Sequence, residues 1–174
     1  MAAQGLVSLY HNSGAFGFAP GIGVHTIGWI GKPDPTIRPS AGIQVRQVSE
    51  PYAATLAGML ESVCVSKLTG ATWLMPKSHW HYELHFGNRE LLETVLGDLG
   101  IDPVLLADRN NGSAIEFAQD ESSLIRGVGQ SLLQGLRGSD FLLAFPGRAA
   151  LCTIHHHEQL WWQLIDPVVL GGFD

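Results

Sequence analysis

The most regular hydrophobic pattern in the chain lies at residues 79–86, where polar and large apolar residues alternate without a break. Successive side chains of a β-strand point to opposite faces of a sheet, so this alternation predicts a strand. Its apolar face would carry Trp80, Tyr82, Leu84 and Phe86. Its other face would carry His79, His81, Glu83 and His85. We therefore expect one face to pack in a core and the other to present imidazoles beside a carboxylate.

Other short apolar segments predict the rest of a sheet, because Gly, Pro and Asn turn signals separate them. The predicted strands are residues 6–10, 24–30, 43–48, 71–75, 113–118, 141–145 and 149–156. The first three belong mostly to a Gly-rich N-terminal region, residues 1–47. Residues 76–78 are short enough for a hairpin between the strands at 71–75 and 79–86. Residues 160–165 fit a strand or a short helix equally well.

Three longer segments have apolar residues at helical spacing and are predicted to be helices. Each starts with a residue type that caps helix N-termini, namely Ser49, Asn88 and Asp120. Each is followed by a glycine that ends helices, namely Gly70, Gly100 and Gly138.

Together these elements predict a single α+β domain over residues 1–174, with residues 49–174 as its helix and strand core. We expect a mainly antiparallel sheet of about six to eight strands, with three helices packed mainly on one face. A chain of 174 residues is long enough to bury a core without disulfides. Its two cysteines, Cys64 and Cys152, are too few for a disulfide framework, which predicts core residues in a reducing, cytoplasmic setting.

Composition limits the classes of function. The net charge is −6 and the ten Lys and Arg residues are scattered, so no nucleic-acid partner is expected. No apolar run approaches the roughly 20 residues of a membrane helix, so no membrane contact is expected either. Charged residues make up 15% of the chain, against about 25% in typical domains, and hydrophobic residues make up 45%. This composition predicts a surface covered by a protein partner or by self-association.

A second group of histidines, residues 155–157, follows at the end of the predicted strand at 149–156. If that strand lies near residues 79–86, the two groups would share one divalent metal ion, with Zn, Fe, Ni or Mn as candidates. The predicted ligands are His79, His81, His85, His155 and His157. Glu83 would be a ligand or a general base, and so is the candidate catalytic residue. The alternative is that these residues only form the polar outer face of a half-exposed sheet.

Three tryptophans, Trp73, Trp161 and Trp162, also have two interpretations. Trp buries a large area in cores, but it also anchors protein partners. In the second case these three side chains would form a partner surface.

The function predicted first is a non-enzymatic cytoplasmic protein-binding or accessory module. The alternative is a hydrolase-like, metal-dependent enzyme that uses the His and Glu face. Nucleotide chemistry is not expected, because the Gly-rich segment at 17–23 lacks the Lys-Ser/Thr pair of a phosphate loop. A hydrolase serine is not expected, because the chain has no Gly-x-Ser-x-Gly elbow.

Overall fold

The computed structural model describes residues 5–8, 26–31, 53–109, 112–146, 148 and 150–164. The predicted α+β class is confirmed. In chain order the elements are β1 (Gly5–Ser8), β2 (Thr26–Gly31), α1 (Ala53–Ser66), β3 (Thr72–Pro76), α2 (Trp80–His85), α3 (Arg89–Asp98), β4 (Ser113–Phe117), α4 (Ser122–Gly135), β5 (Phe141–Ala144), β6 (Ala150–His155) and β7 (Gln159–Leu164). Short 3-10 helices at Pro103–Leu105 and Gln119–Glu121 precede β4 and α4. The predicted strand at 43–48 and the predicted helix start at Ser49 lie outside the described residues.

All described strands pair antiparallel. The five strands from β3 to β7 form a continuous sheet in the order β4-β3-β5-β6-β7. The backbone of β1 pairs with β4 at one edge, and the backbone of β2 pairs with β7 at the other. Strands β5, β6 and β7 form a meander, with Phe141 opposite Ile154 and Ile154 opposite Leu160. The segment at 160–165, for which the sequence allowed two structures, is therefore a strand through Leu164.

The core lies between the helices and one face of the sheet. The buried sheet residues of this core occupy alternate positions of each strand, as expected when one face is covered. They include Leu74, Ile115, Phe117, Phe141, Leu143, Cys152, Ile154, Leu160 and Trp162. Cys64 and Cys152 are both buried and free, as predicted. None of the described helices is long and apolar enough to cross a membrane.

The glycines predicted to end helices do occupy special backbone conformations. Gly70, Gly100 and Gly138 have φ angles of 126°, 70° and 73°. These angles lie in the left-handed region, where a Cβ is unfavourable and Gly is preferred. The chain therefore turns at these three points for the reason that the sequence indicated.

The prediction of a strand at residues 79–86 is wrong, because Trp80–His85 form the helix α2. Trp80, Glu83 and Leu84 are buried, which is the i, i+3, i+4 spacing of a helix face. Tyr82 and Phe86, which a strand would have placed in the core, are 51% and 71% exposed. The alternation was misleading because Trp80 and Leu84 are four positions apart, a spacing that strand and helix share.

Two further corrections follow from α2. The segment at 76–78 joins a strand to a helix, so the predicted hairpin is absent. The described residues contain four α-helices rather than the three predicted. The sheet has five strands between residues 72 and 164. The short segments β1 and β2 pair with its two edges. About six to eight strands were expected.

Candidate metal centre at the hairpin of β6 and β7

Three consecutive histidines lie where β6 turns into β7. His155 is the last residue of β6 and pairs with Gln159, the first residue of β7, so residues 156–158 form a three-residue loop. Glu158 has φ 59°, the left-handed conformation that such loops need at their final position. The sequence therefore folds into a tight hairpin that presents three imidazoles together.

The three rings form a compact triangle. Their centroids are 4.3 Å apart for His155 and His156, 4.3 Å for His156 and His157, and 4.9 Å for His155 and His157. One ring nitrogen from each lies within 4.8 Å of the others. Among the described residues, this is the group of three or more His, Cys, Asp or Glu side chains found close enough to hold a metal ion.

Asp140, just before β5, lies against two of these rings. Its Oδ1 accepts a hydrogen bond of 2.8 Å from His156 Nδ1 and one of 3.3 Å from the His156 backbone N–H. The same oxygen is 3.3 Å from His155 Nδ1. Its Oδ2 is 3.5 Å from the Nζ of Lys77, whose backbone N–H also donates to the Asp140 carbonyl. Asp140 is thus a carboxylate held between two imidazoles and an ammonium group.

These contacts determine the charge of the carboxylate. Burial by itself raises the pKa of Asp140, but the two hydrogen bonds from His156, the charge that His155 gains at acid pH and the charge of Lys77 together outweigh burial. The net effect is a pKa below the usual value, so Asp140 is ionised near neutral pH.

In His155, by contrast, the effect of burial on the pKa is larger than the effect of the nearby charge. Burial lowers the pKa of His155, and the nearby charge of Asp140 only partly opposes this. Its Nδ1 also lies 3.3 Å from the backbone N–H of His157, a donor that needs an unprotonated nitrogen. His155 is therefore a neutral imidazole near pH 7, the form in which histidine binds metals.

The other predicted ligands, His79, His81 and His85, lie on or beside α2 and do not belong to this group. His81 Nδ1 donates to the Ala107 carbonyl at 2.8 Å, and His81 Nε2 accepts from Arg109 Nε at 3.2 Å. Both ring nitrogens of His81 are therefore used within the protein. His85 Nδ1 donates to the His81 carbonyl at 2.9 Å, and the two rings lie 4.3 Å apart. His79 is the N-cap residue of α2.

Glu83, the predicted catalytic residue, is completely buried in a hydrogen-bond network. Its Oε1 accepts from Ser78 Oγ at 2.5 Å, and its Oε2 accepts from Asn88 Nδ2 at 2.9 Å and Ser139 Oγ at 2.7 Å. A Cβ on Gly87 would collide with Oε2, so the backbone is also fitted closely around this carboxylate. Glu83 ties α2 to the start of α3 and to the segment before β5.

The tryptophans predicted as a partner surface are divided between the two faces of the sheet. Trp162 is 1% exposed and stacks on Phe145 in the core, so it is not part of an exposed surface. Trp73 and Trp161 lie on the opposite face and are half-buried. Trp73 Nε1 donates to Glu116 Oε2 at 3.2 Å, and Trp161 Nε1 donates to Gln159 Oε1 at 2.9 Å.

A different aromatic surface was not predicted. Tyr82, His85 and Phe86, which we name the α2 aromatic surface, are all exposed. Their rings are in contact, with centroids 6.1 Å apart for Tyr82 and Phe86 and 6.1 Å for His85 and Phe86. Reading residues 79–86 at helical spacing would have found it, because Tyr82 and Phe86 are then neighbours on one side.

His156 and Asp140 were also missed by sequence reasoning. The sequence did indicate that Asp140 lies near the histidines, because the predicted strands at 141–145 and 149–156 are joined by a short turn and so form a hairpin. In that hairpin Phe141 pairs with Ile154, which places Asp140 beside the first histidines.

Comparison of the chain with protein-family models, with curated proteins and with solved structures finds no match.

Proposed function

We propose that the protein is a non-enzymatic protein-binding module and that the α2 aromatic surface is its contact site. The observation that carries this proposal is the 71% exposure of Phe86 beside a half-exposed Tyr82. Exposed aromatic side chains that touch one another are typical anchors of protein interfaces, because they bury a large area at little cost in conformational entropy.

The attachment of α2 to the rest of the protein supports this role. A helix of six residues is not stable alone, so its position depends on tertiary contacts. Trp80 is buried against Phe141 with ring centroids 5.6 Å apart, and its Nε1 donates to the Ser113 carbonyl at 2.8 Å. Together with Glu83, these contacts hold the backbone of α2 in place, which lowers the backbone entropy lost when a partner binds to the aromatic surface.

The charges nearby favour a different protein over a second copy of this chain. Arg109 is exposed and lies 3.2 Å from His81, beside the α2 aromatic surface, whereas the whole chain carries a net charge of −6. Two copies would repel each other through their net charge. The partner that we propose is a protein with an apolar pocket flanked by carboxylates, which would accept Phe86 and pair with Arg109.

The hydrolase-like alternative is less well supported. It needed Glu83 as a general base or ligand beside a metal ion held by both histidine groups. The carboxylate of Glu83 instead accepts hydrogen bonds from Ser78, Asn88 and Ser139, and has no exposed surface. A base in this position has no room for a substrate.

Site-specific crosslinking in cells of the source organism tests the proposal. A photoreactive benzoylphenylalanine replaces Phe86 in one variant and Val65 in a matched control, because Val65 is a 49% exposed apolar residue of α1. We expect one protein to crosslink from position 86 and not from position 65. With that protein purified, Phe86→Ala should weaken binding by about 30-fold in calorimetry, as loss of an interface anchor does. Equal crosslinking from both positions, or crosslinking only to a second copy of the chain, would overturn the proposal.

A further inference from the structure

We propose that His155, His156 and His157 together bind one divalent transition-metal ion at the hairpin of β6 and β7, and that Asp140 positions His156 for this role. This site is separate from the α2 aromatic surface and does not depend on it. It differs from the site that the sequence predicted, because it includes His156 and excludes the histidines of α2.

The spacing of the rings suits a shared ion. A metal held by three imidazoles at about 2.0–2.1 Å per bond in tetrahedral geometry places the ring centres about 5 Å apart. The observed centroid distances are 4.3, 4.3 and 4.9 Å. One ring nitrogen of each residue already lies within 4.8 Å of the others, and a shared tetrahedral ion requires about 3.3 Å. Side-chain rotations that close this gap would bring the three nitrogens onto one ion, which in His155 replaces the 3.3 Å contact from the His157 N–H.

Asp140 supplies the support that metal-binding histidines need. Ligating histidines usually donate their second N–H to a carboxylate, which fixes the tautomer and directs the other nitrogen to the metal. Asp140 Oδ1 accepts from His156 Nδ1 at 2.8 Å, so the lone pair of His156 is on Nε2, across the ring. The carboxylate also brings a negative charge close to the ion. A run of surface histidines without such a partner would have neither the fixed tautomer nor the nearby negative charge.

Asp140 is itself held in place. Its carbonyl accepts from the Lys77 N–H at 2.9 Å, and the neighbouring Ser139 donates to the buried Glu83 at 2.7 Å. Glu83 thus supports the hairpin site through the chain connection from Ser139 to Asp140. This is a structural contribution, in place of the catalytic one that the sequence suggested.

The donor set indicates the class of metal. Three imidazoles suit borderline ions such as Zn²⁺, Ni²⁺, Cu²⁺ or Fe²⁺, whereas Mg²⁺ and Ca²⁺ require mainly oxygen ligands. Three protein ligands leave a fourth position of a tetrahedral ion for water or another molecule. We use zinc as the probe, since it has no redox chemistry.

The test is zinc binding to full-length protein without an affinity tag, after dialysis against a chelator. We expect one zinc ion per chain in calorimetry. At a free zinc concentration of about 100 times Kd, the Tm should rise by roughly 5–10 °C. The thermal shift is essential, because three adjacent histidines in an unfolded chain also bind zinc. A ligand that binds folded and unfolded chains equally does not change Tm.

Variants separate the proposed ligands from other histidines. His156→Ala and His157→Ala should each weaken zinc binding at least 10-fold, whereas His85→Ala, which removes a histidine of α2, should leave Kd unchanged. Asp140→Asn should weaken zinc binding by about 10–100-fold, the usual effect of losing such a supporting carboxylate. Lys77→Met removes the other partner of Asp140 and one positive charge, so it should leave zinc affinity unchanged or increase it. A merely structural role of Asp140 would make Asp140→Asn and Lys77→Met behave alike.

Three results would overturn the proposal. The first is a stoichiometry well below one zinc ion per chain with no rise in Tm. The second is a rise in Tm that persists when His155, His156 and His157 are all replaced by Ala. The third is equal stabilisation by Mg²⁺, which three imidazoles do not explain.

Discussion

The two histidine groups of this protein differ in what their ring nitrogens contact. In α2, both nitrogens of His81 are used within the protein, by the Ala107 carbonyl at 2.8 Å and by Arg109 at 3.2 Å. At the hairpin, Asp140 binds Nδ1 of His156 at 2.8 Å, and Nε2 remains as the nitrogen that would face a metal. Both ring nitrogens of His81 therefore serve the fold, whereas His156 keeps Nε2 for the proposed ion.

The comparison shows that the number of histidines in a segment is a poor guide to metal binding. Residues 79–86 contain three histidines and a glutamate, yet the glutamate is buried with three side-chain donors and His81 is fully hydrogen-bonded. A carboxylate behind an imidazole is more informative, because it fixes which nitrogen is available. The two carboxylates also differ, since Glu83 accepts from hydroxyl and amide groups, whereas Asp140 accepts from the His156 imidazole and lies beside an ammonium group.

The largest effect is expected at Glu83. Glu83→Ala should lower the free energy of unfolding by about 3–5 kcal/mol, because the buried Asn88 and the partly buried Ser139 lose their acceptor at about 1–3 kcal/mol each, and the hydrogen bond from the exposed Ser78 is lost as well. Urea denaturation measures this loss. Glu93→Ala is the matched control, since Glu93 is a half-exposed glutamate in an i, i+4 ion pair with Arg89. It should cost no more than about 0.5 kcal/mol.

A smaller loss is expected for Glu83→Gln, which keeps one acceptor oxygen. If Glu83→Ala cost less than about 1 kcal/mol, the network would not be the support of α2 that the structure indicates. Should Glu83→Ala fail to fold, the glutamine variant still tests the network, because its loss must exceed that of Glu93→Ala.

The next prediction concerns the apolar residues of the same segment. Trp80→Ala should cost about 3–5 kcal/mol of unfolding free energy, as expected for a buried Trp. Phe86→Ala should change stability by less than about 0.5 kcal/mol, as expected for a surface residue. Denaturation of both variants under identical conditions distinguishes a helix from a strand at residues 79–86, because only a strand would bury both side chains. Similar losses for the two variants would support the strand predicted from the alternation.

The sequence was sufficient for most of the fold. The strands β5 and β6 and the helices α1, α3 and α4 could be predicted from their apolar spacing and from the glycines that follow the helices, whereas the pattern of β7 fitted a strand and a short helix equally well. Asn88 was predicted as a helix cap and does occupy the N-cap position of α3. Its side chain nevertheless donates to Glu83 and Ser139 and does not cap the helix. The sequence pattern predicted the position of Asn88 correctly, whereas tertiary contacts determine what its side chain binds.

The candidate site was predicted only in part, for a related reason. His155 and His157 were recognised because a run of histidines is visible in sequence. Asp140 was missed because its importance comes from strand pairing, 15 residues away from His155 along the chain. The α2 ligands were included because periodicity over eight residues did not distinguish a helix from a strand.

The smallest effect is expected in the pH dependence of the free energy of unfolding. It arises from His155 and Asp140 at the hairpin and is measured on protein kept metal-free with a chelator. The pKa of His155 is lowered by burial, and that of Asp140 is lowered by its hydrogen bond from His156 and by nearby positive charge. The folded state therefore binds fewer protons than the unfolded state, and stability must fall as the pH falls. The decline from His155 begins near its unfolded value of about 6.5, and that from Asp140 near its unfolded value of about 3.9.

The difference in slope between wild type and His155→Gln, measured by urea denaturation between pH 7.5 and pH 5, gives the contribution of His155, because Asp140 stays ionised in both states over this range. The slope from a single group is at most about 1.4 kcal/mol per pH unit. His155→Gln should reduce the wild-type slope, because the lowered pKa of His155 contributes to it. The folded-state charges facing His155 come from Asp140, Lys77, His156 and His157, and their net effect is smaller than that of burial. A His155→Gln variant that lost stability on acidification as steeply as wild type would show that folding does not lower the pKa of His155, and would contradict the neutral imidazole inferred at the hairpin.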